Sequence, residues 1–130
     1  TTLSTSDTSR NLTILGMDQF GVVMAAQPSV NWQAIGVPAG GSATLTSDGD
    51  AVSAAFNRAG KYTLRARAGS IVSDVSINVT QTLASVNLTT PSGVAIDPSE
   101  SISVTSKSSS FIFRGFDQFG NTIATLPRVT

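Results

Sequence analysis

From Gly60 to Val79, apolar and polar side chains alternate. Tyr62, Leu64, Ala66 and Ala68 fall on one face of an extended chain, and Thr63, Arg65 and Arg67 on the other. After Gly69-Ser70 the alternation resumes. Val75, Ile77 and Val79 share one face; Asp74, Ser76 and Asn78 share the opposite one. A period of two marks half-buried strands. Gly-Ser between two such runs predicts a two-residue hairpin loop of type II′, which wants glycine first. That loop sets the register. Leu64 faces Val75 and Tyr62 faces Ile77, apolar on apolar, while Arg65 faces Asp74 on the wet side. Turn chemistry and hydrophobic pattern select the same pairing.

The rest of the chain follows the same grammar. Arg10 to Asp18 predicts a strand with Leu12 and Ile14 inward. Val22 to Ala26 and Val30 to Ile35 predict an extended stretch broken at Pro28, which has no N–H to give a ladder. Ala43 to Leu45 and Ala51 to Phe56 flank Ser47-Asp48-Gly49-Asp50, a turn by composition. Residues 84–99 read as a further strand, interrupted at Pro91 and Gly93. Short strands with a turn signal roughly every 8–12 residues predict an all-β, antiparallel sandwich.

The chain repeats itself. Gly16 to Gly21 reads GMDQFG, and Gly115 to Gly120 reads GFDQFG. The offset of 99 residues between Asp18 and Asp117 holds without a gap on both sides. Ser4 meets Ser103, Leu12 meets Phe111, Ile14 meets Phe113, Pro28 meets Pro127, and Val30 meets Val129. Residues 1–82 therefore read as one nearly complete module, and 83–130 as the N-terminal part of a second. The strand at 84–99 opens the second copy. Its counterpart in the first would precede Thr1, so the first module is expected to lack its opening strand. The boundary falls near Thr80-Gln81-Thr82.

Composition narrows the chemistry. Eight basic and eight acidic residues cancel, so no net field draws nucleic acid or an anionic membrane. No apolar run nears the ~20 residues of a membrane helix, so no membrane insertion is expected. The chain has no histidine and no cysteine. That removes the commonest general base and the thiolate ligands of zinc sites. Ser, Thr, Val, Ile and Gly dominate instead, as on sheet faces and in turns. The expectation is a non-enzyme with no catalytic residues and no cofactor.

The order of motifs carries a family resemblance. Asp-Gln-Phe-Gly at a strand end is followed by Pro28-x-Val30-x-Trp32, by Ala59-Gly60-x-Tyr62-Thr63, and by a closing strand from Ser73 to Val79. This resembles the immunoglobulin-like (Big-type) tandem repeats of bacterial secreted and cell-surface proteins. The resemblance implies an immunoglobulin-like antiparallel β-sandwich at an extracellular or cell-surface location. It implies neighbouring repeats of the same protein as partners, and use as stalk, adhesin segment or accessory domain. It brings no catalytic residues. Gly120-Asn121 fits the family pattern better than Gly21-Val22.

Each candidate site has a bland and a chemical reading. Asp18 and Asp117 read as turn carboxylates, with Gly21 or Gly120 at positive φ, rather than as ligands repeated per module. Asp48 and Asp50 are the candidates for calcium, with Asp97 the other contributor; two carboxylates around Gly49 fit a turn better. Trp32 and Tyr62 form a sugar-stacking platform or a core tryptophan and an anchored strand-corner tyrosine, and the core reading is preferred. Phe111, Phe113, Phe116 and Phe119 crowd one strand and its turn and need cover, from the missing remainder of the repeat, which is the preferred reading, or from a second copy of the chain. Arg58, Arg65 and Arg67 read as a solvated face. Asn11, Asn78 and Asn87 are glycosylation sequons of little weight. The leading functional reading is a structural or adhesive spacer module. A carbohydrate-binding accessory module and a strand-exchanging filament subunit follow.

Overall fold

A computed structural model describes residues 1–97, 99 and 108–125. They contain nine strands and no helix. The chain divides into unit 1, Thr1–Gln81, and unit 2, Thr82–Thr130.

Unit 1 holds β1 (Thr2–Thr5), β2 (Ser9–Thr13), β3 (Asn31–Gly36), β4 (Ala43–Asp48), β5 (Ala51–Phe56), β6 (Gly60–Ala68) and β7 (Ile71–Val79). One sheet has the order β1-β7-β6-β3, the other β2-β5-β4. The β6–β7 hairpin has the register that the sequence dictates: Leu64 faces Val75, Tyr62 faces Ile77, and Arg65 faces Asp74. Gly69 opens its loop at φ 59°, the conformation that costs glycine nothing. The β4–β5 connection is just as tight. Asp48 pairs with Ala51, leaving Gly49 and Asp50 as the loop, with Gly49 at φ 63°.

The core lies where the alternating faces of β5, β6 and β7 meet. Val52, Ala54 and Phe56 of β5 are buried with Tyr62, Leu64 and Ala66 of β6 and Ile77 and Val79 of β7. Phe56 and Tyr62 join the two sheets, their ring centroids 4.6 Å apart. Burying a side chain such as Leu64 contributes about 1.5–3 kcal/mol.

Three elements differ from the pattern reading. β1 is new. It pairs parallel with β7, Thr2 beside Ser76 through Thr5 beside Val79. Its sequence, TLST, offers one large apolar residue and no periodic signal. The strand expected from Arg10 to Asp18 stops at Thr13, because its partner β5 begins at Ala51. One further backbone bond, from Ile14 N–H to the Asp50 carbonyl, continues that edge. The stretch from Val22 to Ala26 is no strand; Met17 and Val23 form a single bridge.

Unit 2 holds β8 (Leu83–Thr89) and β9 (Ile112–Asp117), paired antiparallel. The strand expected over 84–99 ends at Thr89, where a turn begins.

Candidate functional site

The repeated Asp-Gln-Phe-Gly forms the same turn twice. In unit 1, Asp18 Oδ1 accepts the N–H groups of Phe20 and Val22, both at 2.9 Å. The Asp18 carbonyl accepts from Gly21, and Asp18 N–H donates to Val22. The Gly16 carbonyl accepts from Met24 at 2.9 Å. In unit 2, Asp117 Oδ1 accepts from Phe119 and Asn121, again at 2.9 Å. The backbone bonds recur 99 residues later, at Gly120, Asn121 and Ile123. Gly21 and Gly120 sit at φ 78° and 79°.

A third copy of this turn escaped the sequence reading. Thr90 N–H donates to the Val94 carbonyl, the Thr90 carbonyl accepts from Gly93, and the Leu88 carbonyl accepts from Ile96. Thr90 Oγ1 accepts from Val94 N–H at 3.2 Å, and Gly93 takes φ 88°. Spacing and backbone bonds match those around Asp18, but a hydroxyl replaces the carboxylate, bonded to one backbone N–H and the Ser92 hydroxyl where Asp18 takes two N–H groups. The signal in sequence is x-x-Gly after a short side chain that can accept a hydrogen bond. The turn therefore needs an acceptor and a glycine, and a negative charge is dispensable.

The copies differ in cover. Asp117 is 3% exposed, whereas Asp18 lies in the open. In unit 2, β8 runs alongside: Leu83 pairs with Asp117, and Gln118 Oε1 accepts from Thr82 N–H at 2.9 Å. In unit 1, Phe20 is 80% exposed, with Met17 at 58% and Leu15 at 55%. Gln27 straps that segment from one side. Its Oε1 accepts from Gly16 N–H at 2.6 Å and its Nε2 donates to the Met24 carbonyl. Gly16 has no room for a side chain there, since a Cβ would stand 2.8 Å from the Pro28 ring. Leu126, the counterpart of Gln27, lies outside the described residues.

Tyr62 is fully buried and its hydroxyl donates to the Arg58 carbonyl at 2.9 Å. Burial pushes its phenol above the ordinary range, against the opposing pull of the Arg58 backbone bond and charge. Trp32 is half-buried on β3. Its indole N–H is buried and has no hydrogen-bond partner among the described residues. Trp32 lines a cavity of about 210 Å³ with Leu3, Leu12, Ile14, Ala66 and Val75. The two aromatic rings thus present no shared exposed platform.

The calcium candidates lie in two turns, one in each unit. Asp48 closes β4 and Asp50 belongs to the two-residue loop. Asp97 accepts from the N–H and hydroxyl of Ser99, which hold its carboxyl below the usual range. Among the described residues, no three acidic, histidine or cysteine side chains gather as a metal site. None of the helical spans that cross membranes occurs among them either.

Arg65 and Arg67 line one shallow cavity with Asn31 and Gln33 on β3. Arg58 donates to the Ala39 carbonyl. Arg65 makes two bonds of 2.8 Å to the Asp74 carboxylate. That hydrogen bond, ahead of simple charge attraction, raises the Arg65 pKa and lowers that of Asp74 from its ordinary 3.8. A depressed folded-state carboxylate stabilises fully above its unfolded value, and the contribution fades as pH falls through the folded one. Both side chains are about 40% exposed, so the effect is small and screened by salt. Asp74→Asn should leave melting near neutrality almost unchanged and reduce slightly the loss of stability on acidification below pH 3.8. Thermal melts across that range at low and high salt check this.

No family model matches the chain, and no curated protein matches it. Among solved structures, domains 4–9 of the surface layer protein SbsC are similar at 13% identity and a TM-score of 0.43. The alignment covers 95% of this chain and 19% of that one, so the chain spans about a fifth of that structure's length.

Proposed function

We propose that the chain is a piece of a non-catalytic tandem array of Big-type, immunoglobulin-like β-sandwich modules. In this reading it serves as a spacer or adhesive segment of an extracellular or cell-surface protein, and its partners are neighbouring repeats. The observation that carries it is the turn of Asp18 and Asp117, built twice with one hydrogen-bond pattern in two separate compact units. A repeated structural joint is what a modular array requires. The four- and three-stranded sheets of unit 1, joined by Phe56 and Tyr62, suit a sandwich. The Tyr62 hydroxyl bond back to the chain upstream suits the immunoglobulin class.

Antibody raised against the chain should label intact cells that produce it. Labelling only after lysis would overturn the location. The purified chain should also pass unretained over immobilised polysaccharides. Saturable retention would replace the spacer reading with carbohydrate binding.

A further inference from the structure

Most carboxylates among the described residues are engaged. Asp7 accepts from the Thr5 hydroxyl, Asp18 and Asp117 hold their turns, Asp74 takes Arg65, and Asp97 takes Ser99. Asp48 and Asp50 are left over. Neither carboxylate has a hydrogen bond or an ion pair among the described residues. They flank Gly49 at the tip of the β4–β5 hairpin, with Asp48 exposed and Asp50 half-buried. A Cβ added to Gly49 would meet nothing within 4 Å, so the tip projects into open space there.

An uncompensated cation lies in a hollow elsewhere on unit 1. Asn31, Gln33, Arg65 and Arg67 line a cavity of about 270 Å³ on β3 and β6. It is on the outer face of the sheet, because these side chains alternate with Trp32, Leu64 and Ala66, which point inward. Asp74 neutralises Arg65. Nothing neutralises Arg67: its neighbours across the sheet are Asn31 on β3 and Val72 on β7, and neither is charged. The Arg67 guanidinium and the Asn31 and Gln33 amides have no side-chain partner among the described residues. A guanidinium offers a planar fork of N–H donors that matches a carboxylate, and each amide adds two donors.

We propose that this cavity is a carboxylate-binding site, and that its occupant is the Asp48-Gly49-Asp50 hairpin tip of a second copy of this chain.

Charge selects the occupant. Among the described carboxylates, only the two at the tip have no bond to give up. The tip belongs to the sheet β2-β5-β4 and the cavity to the outward face of the sheet β1-β7-β6-β3. No ion pair joins the two within one copy. Each copy therefore carries both halves of the contact and is complementary to another. A two-residue loop is narrow, and its glycine adds no side chain, so Asp48 can enter the hollow and set its carboxylate on the Arg67 fork. The Asn31 and Gln33 amides then serve the remaining lone pairs. A partly solvated contact of this kind is weak and sensitive to salt. The inference stands on the charges of unit 1 and not on the cell-surface reading, so either can fail without the other.

The test uses the full chain. Sedimentation at low salt should show association that rises with concentration. It should vanish near 1 M salt, where the Debye length falls to ~3 Å. Arg67→Glu should weaken association by about tenfold, because an acidic cavity repels an acidic tip. Asp48→Arg combined with Asp50→Arg should do the same, because a basic tip repels a basic cavity. An equimolar mixture of these two variants should restore association, since each then offers what the other accepts. Lys61→Glu makes the same charge change on the same strand but outside the cavity, and should leave association within about twofold of the unmodified chain. Thermal melts check folding. Arg67→Gln and Asp48→Asn are milder replacements, and each should weaken association several-fold.

A chain that stays monomeric at every concentration in low salt overturns the proposal, as does association that Arg67→Glu leaves intact. A loss in Lys61→Glu as large as in Arg67→Glu would reduce the attraction to net charge and remove the site. Charge-reversed variants that fail to associate even when mixed remove the hairpin tip as occupant.

Discussion

Leu64→Ala should destabilise unit 1 by about 3–5 kcal/mol. Leu64 is fully buried on β6, opposite Val75 on one side and Ala34 on the other. Truncation leaves a void between strands that are fixed on both flanks and cannot collapse into it. Domains of this size are stable by only about 5–15 kcal/mol, so the loss is a large share of the whole. Val72→Ala is the control, because Val72 is 40% exposed and its loss should stay within about 0.5 kcal/mol. Denaturant melts of both variants decide. A Leu64→Ala chain that unfolds at the unmodified midpoint would place the core elsewhere.

The second large effect is a contrast. Asp117→Ala and Asp18→Ala remove the same atoms from the same turn, two accepted N–H bonds in each case. Water can replace the carboxylate at the exposed Asp18, so that change should cost about 0.5–1.5 kcal/mol, the net worth of ordinary bonds. Asp117 is 3% exposed. Its loss leaves the part-buried Phe119 and Asn121 N–H groups without that acceptor, and a group that water reaches poorly costs more to leave unpaired, up to about 1–3 kcal/mol when fully buried. Hydrogen exchange at Phe119 and Asn121 should accelerate far more in Asp117→Ala than exchange at Phe20 and Val22 in Asp18→Ala. Thr substitutions at both positions should recover part of the loss, as Thr90 performs the same task. Equal acceleration in the two variants would mean that β8 gives Asp117 no protection.

The β6–β7 hairpin was fully legible in the sequence because alternation, turn chemistry and charge pairing all reported one register. The Asp-Gln-Phe-Gly turn was legible because its glycine and carboxylate state their own requirement. β1 was not. Its four residues hold their place through backbone bonds to β7, and a parallel partner more than seventy positions away leaves no local trace. The end of β2 was misread for a related reason. Leu12 and Ile14 alternate as a strand should, but a strand lasts only as long as its neighbour. Trp32 was read as core from its residue type, whereas a half-buried ring with an orphaned N–H depends on what surrounds it. The turn at Thr90 was hidden because Thr-Thr-Pro-Ser-Gly shares function, not letters, with Asp-Gln-Phe-Gly.

The parallel pairing of β1 with β7 has a mechanical meaning. Thr2 lies beside Ser76 and Thr5 beside Val79, so the two strands run the same way and leave the module at opposite ends. Tension applied at Thr1 and at Gln81 pulls them lengthwise past each other. Every bond of that ladder then bears load at once, including those from Ser76 N–H to the Thr1 carbonyl and from Thr80 N–H to the Thr5 carbonyl. An antiparallel pair of terminal strands would instead peel open one bond at a time. Along that line β1 and β7 are joined as a lap joint is, with the load shared across the whole ladder rather than met at one end.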